Sequence, residues 1–424
     1  MLPRFFKQPF FVTGAFLSAY IVIFVFLTGL VSPRLATLAG VLGVGALCAE
    51  SLQRGVLAKF LEKLWPMAPW ILFALLSYAV LPLIPYAGSR AWNNLTGVIY
   101  AISIFMVVRH YGRLACVEPL YVSYVFIVVC FFVLFPGVLG VAEGQERLRL
   151  SAEVLGQEKG LNPNDVARLM GISGLMILGS LRGFNFKLFT RGHAIDRGLN
   201  VLKVVGVFAA IYVIVFHSGS RAALAWIAGM AVYVVAAYYN RNIVFSLFAA
   251  GSMAFIGLLV GYHLFPDIEV FSRISVLFDE VAMRGEGEKS FYARVDMIQE
   301  ALGLWMQSPV WGNGNEAYRV QGSYATYSHS NYTELLANYG LLGFILFNMP
   351  FALGAWTGWK MRKSMNQDIR KIAIWTLICC GILFVVSFVN VIYYTKYVLL
   401  FYAFLLGKIY YIKDHYAQFN RPIT

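Results

Sequence analysis

"YATYSHSNYTELLANYGLLGFILF", Tyr324 to Phe347, sets a histidine, a Ser-Asn pair and a glutamate directly before a long apolar run. That run approaches the ~20 residues a helix needs to cross a hydrocarbon core. Similar runs recur from one end of the chain to the other. Of 424 residues, 59% are hydrophobic and 13% charged, against roughly 45–50% and ~25% in a soluble domain. The expectation is an all-α polytopic membrane protein, one integral-membrane domain over residues 1–424, rather than a soluble enzyme with an anchor.

Hydropathy predicts about 12 transmembrane helices, near residues 9–31, 34–50, 67–85, 92–108, 119–141, 165–182, 199–217, 221–239, 242–264, 331–357, 372–390 and 394–412. Met1 to Gln8 is basic, but the following apolar run is too long for a cleaved signal and another span comes at once. The net charge of +13 is scattered between apolar runs, so it reads as positive-inside bias and not as a nucleic-acid surface. Lys360, Arg362, Lys363, Arg370 and Lys371 mark an inward turn, which makes both termini cytoplasmic. The five cysteines, Cys48, Cys116, Cys130, Cys379 and Cys380, lack metal-ligand spacing, and neither disulfides nor zinc are expected.

One outward segment, 265–330 between the ninth and tenth spans, is long enough to build something. In a bacterium it would face the periplasm. Phe291, Val295, Ile298, Leu302 and Trp305 recur at helical steps, predicting an amphipathic helix that lies on the membrane or caps the bundle. Ser308-Pro309 and Gly312-Asn313-Gly314 stop it.

Three basic groups fall on this outward side: Arg221 at the start of the eighth span, Arg294 on the loop helix and His329 before the tenth span. Both spans offer helix N-termini there, whose free amides and dipole favour anions. Ser218 or Ser220 can cap the first, and Asn331 with Glu334 can form a capping box on the second. Two guanidinium forks beside these N-termini suit a lipid-linked diphosphate, as leaving group, stabilised by fixed charge. The arginines and the helix N-terminus would hold His329 neutral, the form that serves as general base. The one approach to an acidic metal motif is Asp267-x-Glu269, which also reads as a solvated loop.

Plainer readings stand beside these. His329 could be an interfacial cap, Arg221 a snorkelling anchor, and Arg294 a solvated charge on an amphipathic face. His217 and His263 read as interface residues, and Gly340 and Gly343 as small residues for close helix packing.

"SHSNYTELLANYGLLGFILF" is similar to the His-Asn/Ser-x-Tyr-x-Glu stretch, with its two later glycines, of the O-antigen ligase and polymerase superfamily. "GSRAAL" around Arg221, "ARVDMIQEAL" with "SPVWGNGNEAY" between Ala293 and Tyr318, and "GLNPNDVARL" from Gly160 resemble it in the same order. The family's usual His-Asn is His329-Ser330 here, so no role passes to Ser330. The resemblance implies a membrane glycosyltransferase of the bacterial inner membrane with a periplasmic active site and no nucleotide, metal or other cofactor. Its donor would be undecaprenyl-diphosphate-linked O-antigen and its acceptor lipid A-core. It implies Arg221 and Arg294 on the diphosphate and His329 as base, while Arg147 or Arg149 would line the donor path; Asn331 and Glu334 join the candidate substrate-binding set. Ligation with inversion is the leading expectation, because one base and no evident nucleophilic carboxylate are present, Glu334 being the reservation. A polymerase of the same superfamily is the first alternative. A lipid-linked glycan transporter is the second, disfavoured because mid-span ionisable residues and internal repeats are not evident.

Overall fold

The computed structural model describes residues 57–79, 87–111, 163–180, 193–217, 223–239 and 289–415, with isolated positions among 38–45, 127–129 and 245–260. Arg147, Arg149, Arg221 and the Asp267-x-Glu269 pair lie outside the described residues, as do most positions of the spans expected at 9–31, 34–50, 119–141 and 242–264. The described elements are helical: α1 Leu57–Glu62, α2 Ala68–Ala79, α3 Ala87–Tyr111, α4 Pro163–Ser180, α5 His193–Tyr212, α6 Ala223–Val234, α7 Lys289–Gln307, α8 Ala317–Gln321, α9 Asn331–Met361, α10 Gln367–Val386 and α11 Lys396–Asp414. Turns of π-helix, Val213–His217 and Val235–Tyr239, extend α5 and α6. Three helices, over Ala91–Arg109, Asn331–Met361 and Gln367–Val386, are long and apolar enough to cross a membrane; Trp65–Ala79, Val201–Phe216 and Leu224–Ala237 are shorter apolar helices.

Residue pairings fix the directions. Asn331 meets the turn after α10, and Gly354 packs on Tyr402, so α9 and α11 run parallel while α10 runs against them. α3 lies along α11 in the same sense, with Gly97 on Leu399 and Gly407 on Val108. Gly171 and Gly174 of α4 receive Trp226 and Met230 of α6, again in parallel, and Gly179 receives Trp375 of α10. A Cβ at Gly171, Gly174, Gly179 or Gly354 would overlap the large side chain opposite, so the missing atoms are what allow the approach. The site described below forms where α4, α9 and α11 begin. The other end carries the basic turn after α9 and the Arg109–Asp414 ion pair at 2.9 Å.

Trp70, Phe347, Phe351 and Tyr402 form the aromatic centre of the α2, α9 and α11 packing. Pro350 within α9 has no amide to give the Leu346 carbonyl, which costs the helix one hydrogen bond. Trp70 Nε1 donates to the Phe347 carbonyl at 2.8 Å, and the Tyr402 hydroxyl donates to the Pro350 carbonyl at 2.7 Å.

A larger interruption lies at Gly340, which takes φ +63 and ψ −166 inside α9. The sequence reading gave this glycine a packing role; the structure makes it a break, in a conformation that L residues rarely adopt. The segment 309–314 enters the gap. Asn313 and Gly314 amides donate to the Ala337 and Asn338 carbonyls at 2.9 and 2.8 Å, while Leu341 and Leu342 amides donate to Pro309 and Val310 at 2.8 and 3.1 Å. Backbone that cannot pair within its own helix is thus paired from outside, as an apolar setting demands. Around the break, Asn94 donates to Ser77 and Tyr339, Tyr339 to Asn315, and Asn315 to the Ser77 carbonyl.

The expected loop helix is present as α7, ending at Gln307 before Ser308-Pro309. Its buried face differs from the expected stripe. Met297 and Ala301, with the partly buried Ala293 and Leu304, pack with Tyr318 and Ala337, whereas Leu302 is 37% exposed. Ala301 on α7 and Ala337 on α9 share this apolar cluster, and such small residues let two helices approach closely.

Candidate active site

The turn Tyr327–Ser330 leads into α9. Ser330, extended at φ −128, is the N-cap, its hydroxyl accepting from the Thr333 amide at 3.5 Å. The cap therefore falls one residue before the expected Asn331. Asn331 serves another purpose: its Oδ1 accepts the Ile392 and Tyr393 backbone amides at 2.9 and 3.0 Å, and its backbone amide donates to the Ser387 carbonyl at 2.8 Å. It clasps α9 to the α10–α11 turn.

Glu334 is 5% exposed and points back toward that turn. Its Oε2 accepts from the Ser328 amide at 2.8 Å and the Ser328 hydroxyl at 3.2 Å, and its Oε1 accepts from Tyr393 at 3.3 Å. The residues either side of His329 are thereby fixed. The single Ser328 hydroxyl hydrogen is shared between Glu334 and the Ser330 carbonyl, which lies 2.9 Å from Oγ.

His329 itself has φ +60, a left-handed conformation that costs a non-glycine residue about 1–3 kcal/mol. Its ring packs on Tyr327, centroids 4.3 Å apart at 52°, and its Nδ1 is buried without a hydrogen-bond partner. Burial, and after it the positive charge of Arg294, push its pKa down to about 4. The imidazole is neutral at pH 7. The expected direction holds, with burial as the larger cause.

Arg294 of α7 is half-buried and near enough for its charge to act on both His329 and Tyr327. Burial raises the Tyr327 phenol, Asp165 and Glu334 add to this, and Arg168 and Arg294 oppose it. So the structure brings together His329, Arg294 and Glu334, with Asn331 at the base of the turn. It also adds residues not singled out in the sequence: Tyr327, Tyr393, and Arg168 on α4. Arg168 sits in an apolar helical run, and an ionisable residue there was the available signal. Nor is it alone: Lys203 and Lys408 are 4% and 0% exposed within α5 and α11, each close to an end of its expected span and not at mid-span.

A helical membrane protein with a neutral, strained histidine and an arginine at converging helix N-termini is the class this geometry defines. Residues 205–348 match the family model described as O-Antigen ligase, which supports the O-antigen ligase superfamily for this chain. Members of that superfamily are membrane enzymes of glycosyltransferase type, ligases and polymerases. The match runs from α5 into α9 and so takes in Arg221, Arg294 and His329. No curated protein matches the chain.

Proposed function

We propose that this protein is an O-antigen ligase, transferring the glycan from undecaprenyl diphosphate to lipid A-core with inversion and without a metal, on the periplasmic side of the inner membrane. The observation that carries this reading is His329: a neutral imidazole held in a left-handed backbone by its bonded neighbours, with a guanidinium close by. Strain of this kind is kept where surrounding bonds over-determine it, and such places cluster at active sites. His329 takes the proton of the acceptor hydroxyl as that oxygen attacks the anomeric carbon. Arg294 and Arg221 hold the departing diphosphate, whose negative charge grows in the transition state. Arg147 or Arg149 lines the donor path, and Asn331 and Glu334 border the substrate while shaping the turn. The cluster of Lys360, Arg362, Lys363, Arg370 and Lys371 at the far end of α9 and α10 supports the orientation, because basic turns favour the cytoplasm.

The interrupted helix α9 and the buried Lys408 are features that transporters share. At the Gly340 gap, however, the Ala337 and Asn338 carbonyls and the Leu341 and Leu342 amides are taken by 309–314, which leaves those groups unavailable to coordinate an ion. Transfer is therefore the better-supported reading. The test is purified protein with undecaprenyl-diphosphate glycan and lipid A-core, in the presence of chelator. Ligation yields a ladder on the core lipid, lost in His329→Ala. Growth on the carrier alone makes the protein a polymerase, and lipid translocation with no product refutes the enzyme reading.

A further inference from the structure

Arg168 lies in the second turn of α4 and is 6% exposed. Its three nitrogens have different fates. Nη1 donates to Thr395 Oγ1 at 3.1 Å and Nη2 meets Asp165 Oδ1 at 3.3 Å. Nε is buried and has no acceptor. A buried donor left unmade is costly, and a guanidinium fork that could place two parallel donors on one planar oxyanion here does not.

A second donor at the same junction is also orphaned, Asn331 Nδ2. Both residues are tied to one short segment: Asn331 holds Ile392 and Tyr393, and Arg168 holds Thr395. His329, whose Nδ1 is likewise unpartnered, precedes Asn331 by two residues. Arg168 and Arg294 both act on the Tyr327 phenol, whose ring covers His329. Two buried side-chain donors, Arg168 Nε and Asn331 Nδ2, thus lie at one junction without a protein acceptor.

Asp165 shows how an acceptor could come and go. Its side chain is 39% exposed although its partner Arg168 is buried, and Tyr397 donates to the same Oδ1 at 3.1 Å. The carboxylate is part-exposed and can yield its place to a stronger anion.

We infer that Arg168 binds a phosphate oxyanion of the lipid-linked substrate, exchanging its contact with Asp165 for one to the ligand, so that the start of α4 forms an anion subsite beside His329. This rests on the reading of the site as acting on phosphate-bearing lipids. It predicts opposite signs at the two partners. Loss of Arg168 weakens binding, and loss of the competing Asp165 charge strengthens it.

The experiment measures the binding of undecaprenyl diphosphate and, separately, of phosphorylated lipid A-core to the full-length protein in nanodiscs, with the melting temperature recorded for each variant. Arg168→Gln should weaken one of the two lipids about ten- to hundredfold, the worth of a charge-assisted hydrogen bond. Asp165→Asn should tighten the same lipid. Arg168→Lys, which keeps charge but not the fork, should fall between, and it carries the test if Arg168→Gln does not fold. The lipid affected identifies the phosphate as donor's or acceptor's. If Arg168→Gln and Asp165→Asn both lower the melting temperature and leave both affinities at wild type, Arg168 is a helix tether and the inference fails while the ligase reading stands. If the wild type binds neither lipid, both fall.

Discussion

Glu334 reaches back six residues along the chain to take the Ser328 amide at 2.8 Å, and in doing so closes the turn on which His329 stands. Both of its oxygens accept from protein donors, the second from Tyr393. A carboxylate so engaged positions the histidine and is poorly placed to attack a sugar. Glu334→Gln should therefore cost about 1–3 kcal/mol of stability, because its new N–H₂ faces donors, yet retain measurable transfer. Complete loss of transfer at unchanged melting temperature would make Glu334 the nucleophile of a double-displacement reaction.

His329 gives the protein a specific pH signature. The unfolded chain protonates this residue below about 6.5, the folded chain only below about 4. Its neutral burial thus supports the fold fully above 6.5, and that support is lost as pH falls through this window toward 4. Melting temperature should decline over the interval in wild type, and the decline should be shallower in His329→Gln. Equal slopes would place the titration elsewhere.

Arg294 acts on the same imidazole through its charge. Arg294→Gln should raise the His329 pKa, measured by NMR titration of the ring, while burial keeps it below 6.5. A bound diphosphate should move it the same way by offsetting the guanidinium. An unchanged titration in Arg294→Gln would separate the two residues.

Gly340→Ala should be strongly destabilising. The added Cβ would meet the Val310 carbonyl and the Gly312 amide, and the positive φ alone costs about 1–3 kcal/mol. Gly198→Ala, where a Cβ meets nothing, is the control and should leave the melting temperature near wild type.

Much of this was legible in the chain. Helical spacing and the Ser308-Pro309 stop located α7, and the polar residues before Leu335 located the beginning of α9, because both are local signals. The contact face of α7 was not legible, since it depends on which residues are small enough to approach α9. The break at Gly340 was hidden for a related reason. Its backbone partners lie some thirty positions earlier, at Pro309 and Val310, and neighbours in the chain do not reveal that pairing. Arg168 was overlooked because "NPNDVARL" reads as the start of an apolar span, and only the return of Thr395 to its side shows what surrounds it.

The strand of chain between Ser308 and Asn315 supplies rungs that α9 lacks. It therefore behaves as an internal splint. Shortening or excising it would not trim a projecting loop. It would leave a fractured helix with bare peptide groups in an oily setting, so the segment before His329 and the helix after it must fold, and be inherited, together.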